Sequence, residues 1–280
     1  KNEGGNYLIT LQFPSYSAFM KYSTRRDLRE KLYKAYNSQC IDGEFSNVEL
    51  MSEITELRYE LAKLLGFKNF AEYNLVNTMA ANPTNVYNLL DQLRDSYRDA
   101  QKAEIAELEQ YATQLEGKPM KIMPWDYSYY YEKLKDSKYS FNDEVLRPYF
   151  ELNNVINGVF GFATKMYGLQ FKENHDAQVY HPDVKVYDVT DENGGFVGML
   201  YADFFPRKGK QGGAWMTEYQ GQWIDYKGRN VRPHVSVVMN LSKPTDTKPS
   251  LLTLGEVETF LHEFGHSLHG MFANTKYESL

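Results

Sequence analysis

The residues best suited to chemistry are His262-Glu263-Phe264-Gly265-His266. Two histidines four apart share one face of a helix, so their imidazoles can meet a single ion, and zinc is the ion that such nitrogen pairs hold for hydrolysis. Glu263, one residue on, projects from an adjacent part of the helix, close enough to hold a water without ligating the metal. Hydrolysing an amide at neutral pH needs a water of lowered pKa and a base to take its proton. Zinc and Glu263 divide those tasks, with His262 and His266 as metal ligands. An H-E-x-x-H arises by chance in a chain this long at a rate on the order of 1 in 100, so its setting has to support it.

The helix that carries the motif has a readable start. Thr253 and Glu256 form the T-x-x-E pattern of a capping box, and Val257, Phe260, Leu261, Phe264 and Leu268 supply an apolar face. A metzincin carries Gly and His at the third and sixth positions after the second motif histidine. This chain has His269 and Phe272 there, which excludes that class. Glu278, the one acidic residue after the motif, lies too near to return on a second helix and reads as a surface residue near a terminus. The third zinc ligand is therefore expected beyond Leu280.

From Arg25 to about Met166 the spacing is helical, with Leu28, Leu32, Tyr33 and Tyr36 in one run and Leu50, Ile54, Leu57, Leu61, Leu64 and Leu65 in another. Asn82-Pro83 opens a long segment that ends at about Glu116, before Gly117-Lys118-Pro119. Its charges, Arg94, Asp95, Arg98, Asp99, Lys102 and Glu104 among them, predict a solvated face. After Gly168 the period shortens. Val184, Val186 and Val189, then 196–205, then 234–241 read as strands, and the 191–195 turn joins the first two as a hairpin. The fold expected is mainly α with a small β-sheet just before the zinc-binding helix. It divides into 1–174, a helical wall, and 175–280, the sheet plus the metal helix.

The 280 residues are 42% hydrophobic with a net charge of -6, which suits a globular core and offers no basic stripe for nucleic acid. No apolar run approaches the roughly 20 residues of a membrane span, and the mean hydropathy of -0.59 agrees. One cysteine, Cys40, excludes an internal disulfide and leaves cytoplasm and bacterial periplasm both open. The opening KNEGGNYLIT lacks an initiator Met and a signal-peptide layout, as expected of a chain that begins inside a longer protein. The 23 tyrosines imply aromatic packing between helices, or a cleft lined for peptide side chains.

Four stretches together resemble the thimet oligopeptidase and peptidyl-dipeptidase family of zinc peptidases, the bacterial dipeptidyl carboxypeptidases most of all. They are ETFLHEFGHSLHGMF, GMLYADFFPRKGKQGGAW, MPWDYSYYYEKL and RPYFELNNVINGVFGFATKMYGLQF. Their order and spacing match along essentially the whole chain. The resemblance implies a helical clamshell of the gluzincin type of zincin scaffold, one zinc per full-length chain, and short unfolded peptides as substrates. It makes His262 and His266 the ligands and Glu263 the general base. His269 matches a further motif histidine, expected to support a ligand or face substrate. The 209–213 stretch resembles the family's flexible loop near the cleft. Release of C-terminal dipeptides would need a cation for the terminal carboxylate, and Arg207, Lys208 and Lys210 are candidates by sequence proximity. Family members continue past this helix to a glutamate ligand and to substrate-binding tyrosine and histidine groups, so the isolated chain is expected to be inactive. Two other readings stay open: a peptide-binding module without chemistry, and an endo-acting oligopeptidase of the same family.

Overall fold

The computed structural model describes residue 5 and residues 7–140, 143–245 and 247–279. Its helices and strands, in chain order, are α1 (Phe13–Tyr22), α2 (Arg26–Asn37), α3 (Val48–Leu64), α4 (Phe70–Leu75), α5 (Pro83–Glu116), α6 (Tyr127–Tyr139), α7 (Leu152–Tyr167), β1 (Gln170–Glu173), β2 (Lys185–Thr190), β3 (Phe196–Asp203), β4 (Trp215–Gln220), β5 (Trp223–Ile224), β6 (Asn230–Val231), β7 (His234–Val238) and α8 (Leu254–Met271). They group into two compact units, one of residues 16–140 with the chain's first residues, the other of 12–15 and the residues after Ser140.

In the first unit the caps read from the sequence decide where the long helix lies. Asn82 Oδ1 accepts from the Asn85 amide at 3.0 Å, Pro83 occupies the first turn, and Gly117 leaves the helix at φ +66°. Leu108 and Ala112 of α5 pack on Tyr129 and Tyr130 of α6. Asp126, fully buried, is held by Arg26 and by the equally buried Arg29, whose other nitrogens reach the Ser23 and Trp125 carbonyls. The apolar row of α3 does form a helix, but Leu50, Ile54, Leu57, Leu61 and Leu64 are exposed on it.

The second unit holds a five-stranded sheet of order β1-β2-β3-β7-β4. All its pairings are antiparallel except β3 with β7, which run parallel from Met199 opposite His234 to Asp203 opposite Val238. The β2–β3 hairpin is closed by Asp191, whose carboxylate accepts from the Asn193 and Gly195 amides while Gly194 takes φ +81°. Val155, Ile156, Val159, Phe160 and Ala163 of α7 join Val189, Leu200, Val235 and Val237 of the sheet and Phe260, Phe264 and Met271 of α8 in one core. The division expected at 174/175 is thereby corrected. The buried stripe of α7 packs with the strands, so α7 and β1 belong with the sheet, and the boundary falls after Ser140. Four strands were not anticipated, β1 and β4 of this sheet and the β5–β6 pair, and β4 is the sheet edge in contact with α8.

Candidate metal centre and cleft

Helix α8 is placed before it is functionalised. Thr253 Oγ1 accepts from the Glu256 amide at 3.1 Å and Glu256 Oε2 accepts from the Thr253 amide at 2.8 Å, completing the predicted capping box. The other oxygen of Glu256 accepts from the Ser242 amide at 2.7 Å, tying the helix start to the segment that follows β7. At the far end Arg232 donates to the Met271 and Ala273 carbonyls, satisfying backbone acceptors the helix leaves unpaired, while its Nε reaches Val197 O. Both ends are thus pinned to the sheet.

On this helix the ring nitrogens His262 Nε2 and His266 Nε2 stand 3.2 Å apart, and both residues are exposed. Two nitrogens at zinc bond lengths of about 2.0–2.1 Å and a tetrahedral angle are separated by roughly 3.3–3.4 Å. The imidazoles therefore converge at a spacing that suits one ion, and the pair fits as part of a zinc donor set. Glu263, with 8% exposure, points into a cavity of about 540 Å³ that His266 and His269 also line. No group among the described residues bonds its carboxylate, which leaves that carboxylate for a water or a substrate atom. Phe264 and Ser267 face the core on the other side, Ser267 Oγ donating back to Glu263 O at 3.1 Å.

The cavity lies between α8, β4 and residues 273–278. A Cβ at Gly270 would stand 2.7 Å from both Glu218 Oε1 and Met216 Cε, and 3.2 Å from Val235 Cγ1, so the helix meets the sheet here as closely as a residue without a side chain permits. Gln222 holds the segment after α8, accepting from the Thr275 amide at 2.6 Å and donating to Thr275 O at 3.1 Å. Glu278 accepts from the Gly221 amide at 3.0 Å and lines the cavity, exposed as its place near a terminus suggested. Among the described residues, no three His, Cys, Asp or Glu side chains are grouped to hold a metal ion.

Two expected substrate contacts are corrected. Arg207 is bidentate on Asp203 at 2.7 and 2.8 Å, and Lys210, its side chain 4% exposed, donates to Asp203 Oδ1 at 2.8 Å and to the carbonyls of Asp203, Phe205 and Met239. Neither is free to receive a terminal carboxylate; each balances a buried charge at the end of β3. Burial alone would raise the Asp203 carboxyl, but the Arg207 and Lys210 donors hold it below its ordinary value. These bonds, with Asn240 donating to Gln211 O and Gly213 O, anchor the glycine-rich 209–213 stretch at both ends. Lys208 alone of the three cations is exposed. His269 lines the cavity. Trp215, Met216 and Glu218 were missed, because WMTEYQ at 215–220 shows no alternation that would mark it as a strand.

The family model for "Peptidase family M3" matches residues 19–280. Oligopeptidase A of Escherichia coli strain K12 is 41% identical over 270 residues, 95% of this chain and 40% of that protein. Organellar oligopeptidase A, chloroplastic/mitochondrial, of Arabidopsis thaliana is 38% identical over 275 residues, covering 96% of this chain and 35% of that protein. The dipeptidyl carboxypeptidase of E. coli K12 is 35% identical over 258 residues, 91% of this chain and 37% of its own length. The chain thus spans about 40% of the length of the first of these relatives. No helix among the described residues is long and apolar enough to cross a membrane. On the match across nearly its whole length, the chain belongs to peptidase family M3.

Proposed function

We propose that this chain carries the zinc-binding helix and one wall of the cleft of a metallopeptidase that hydrolyses short unfolded peptides. The observation that carries this is the 3.2 Å convergence of His262 and His266 beside Glu263, whose carboxylate is bonded to no described group and opens on the cavity. His262 and His266 hold the zinc. The third protein ligand comes from the part of the relatives that this chain does not cover, and peptide hydrolysis is a property of the longer protein.

Zinc held by the two imidazoles supplies a lowered pKa for water and polarisation of the scissile carbonyl. Glu263 acts on the proton. Its carboxylate takes a proton from the attacking water on one Oε, holds it while the tetrahedral centre forms, and delivers it to the leaving amine nitrogen. Strand β4, the sheet edge beside α8, has no strand on its outer side, and an extended peptide can pair there through its backbone. His269, further along the cavity wall, faces substrate or orients the groups that do.

Internal cleavage and release of C-terminal dipeptides are both kept as readings, since Arg207 and Lys210 are committed to Asp203 while Lys208 is exposed. Release of C-terminal dipeptides is the second reading, favoured by the 35% identity to dipeptidyl carboxypeptidase.

Zinc competition against a chromophoric chelator tests the ligand pair. His262→Ala should lose at least about tenfold in affinity, and Glu263→Gln should keep it. Unchanged affinity in His262→Ala refutes the assignment. In the full-length protein Glu263→Gln should lower kcat by about 10²–10⁴; a loss below threefold removes Glu263 as the base. Equal cleavage of a peptide amide and its free acid indicates internal cutting, and strict dependence on a free C-terminus indicates dipeptide release.

A further inference from the structure

We infer that Gln222 is a positioning residue for peptide hydrolysis: its side-chain amide fixes Thr275, and through it the 273–278 wall of the cavity. The inference rests on reading this cavity as the peptide site.

Residues 272–279, which follow α8, form neither helix nor strand, so no ladder of their own sets their course. They nevertheless bring Ala273, Thr275 and Glu278 to the cavity that His266 and His269 line from the helix. Gln222 stands between β4 and β5 and is 3% exposed. Its Oε1 accepts from the Thr275 amide at 2.6 Å, and its Nε2 donates to Thr275 O at 3.1 Å and to Asn230 Oδ1 at 2.8 Å. One side-chain amide thus meets both backbone groups of Thr275, as the paired residue of an antiparallel strand would. Asn230 Oδ1 also accepts from Arg232 at 3.3 Å, so only the nitrogen of Gln222 suits that side and the amide has one orientation. Both amide hydrogens of Gln222 are used and its oxygen is taken by the Thr275 amide, so its effect on a substrate passes through Thr275. The Ile224 amide on Lys276 O at 3.2 Å and Arg232 on Ala273 O at 3.0 Å hold the same segment on either side. His262, Glu263 and His266 lie on α8, whose capping box does not involve Gln222. Loosening Thr275 therefore shifts one wall of the cavity and leaves the reacting groups in place.

The test uses the full-length protein with Gln222→Leu, which keeps the side chain's bulk and removes its bonds, and with Gln222→Glu. Each is measured for hydrogen exchange of 272–279 by mass spectrometry, for zinc content, and for cleavage of a quenched fluorescent peptide. The peptide has a free C-terminus, so that either specialisation cleaves it. In Gln222→Leu the 272–279 amides should exchange at least about tenfold faster. KM should rise about tenfold, with kcat within about threefold and zinc content unchanged. In Gln222→Glu an ionised carboxylate sets an acceptor against Thr275 O and Asn230 Oδ1, whereas the protonated acid donates there as the amide does. Burial among acceptors raises the pKa of that carboxyl, so KM should be raised at about pH 8 and approach the wild-type value at about pH 6. Unchanged exchange in Gln222→Leu, or faster exchange with KM unchanged, overturns the positioning role and leaves the peptide site standing. So does a fall in kcat or in zinc content at constant KM. If Gln222→Leu does not fold, Gln222→Glu decides, and a KM that follows the wild type at every pH overturns the role. A zinc-loaded wild type that cleaves no peptide overturns the peptide-site reading and the inference with it.

Discussion

Replacing Asp203 by Asn keeps the volume of the side chain while removing its charge, and its surroundings set what that costs. The side chain is 1% exposed and receives Arg207, Lys210 and the Tyr180 hydroxyl, all between 2.7 and 2.9 Å. Without the carboxylate, the 4% exposed ammonium of Lys210 stays buried with no opposite charge. Removing one partner of such a pair typically costs about 3–5 kcal/mol. Lys210 keeps three backbone carbonyls, so the lower end applies, about 3 kcal/mol. Lys210→Met leaves Asp203 its bidentate guanidinium and should cost less, about 2 kcal/mol. The double variant should be destabilised by at least about 1 kcal/mol less than the sum, because the second change removes the stranded charge. Urea unfolding at pH 7, followed by the fluorescence of Trp215 and Trp223 in a Trp125→Phe background, measures all four corners. A loss below about 1 kcal/mol in Asp203→Asn, or strict additivity, refutes the claim that these cations serve the fold.

Acid should expose the same charges. Burial works against ionised Asp126 and Asp203, yet their arginine and lysine donors hold both folded-state pKa values below the ordinary one. Their stabilisation is therefore complete above the unfolded value of about 3.9 and fades as pH falls through the lower folded values, so the gap between wild type and Asp203→Asn should narrow progressively as pH falls below about 4 in urea titrations. Thr253→Ala removes the helix cap and should lower stability by about 1 kcal/mol while zinc affinity, read separately, stays within threefold. Gly270→Ala brings a methyl against the movable ends of Glu218 and Met216 and against Val235, and because those ends can turn aside it should cost less than about 1 kcal/mol in the same unfolding assay; a loss of about 3 kcal/mol means that they are fixed.

What was legible in the sequence was local. The Asn82 and Gly117 caps of α5, the Thr253–Glu256 box and the 191–195 turn each need only neighbours within a few residues, and each is found where the residue types predict. The histidine pair is of the same kind, since helix geometry alone brings positions four apart together. Long-range partnerships were not readable. Periodicity marks α7 as amphipathic but does not say that its stripe meets a sheet, and that choice moves the boundary to Ser140. Asp126 meets Arg26 across 100 positions, and Lys210 meets the Met239 carbonyl across 29. A lysine on a glycine-rich loop looks solvated until the fold closes over it. Strand β4, WMTEYQ, carries no period-2 pattern, and only its pairing with β7 makes it a strand.

The dimensions of the cleft are set by a missing atom. At Gly270 the ends of the Met216 and Glu218 side chains occupy the space that a Cβ would take, so the helix rests on these two side chains of β4. Position 270 is in effect a shim slot. Each added carbon is a spacer that either turns those two side chains aside or lifts α8 from β4, and a graded set of residues there would tune the gap between helix and strand.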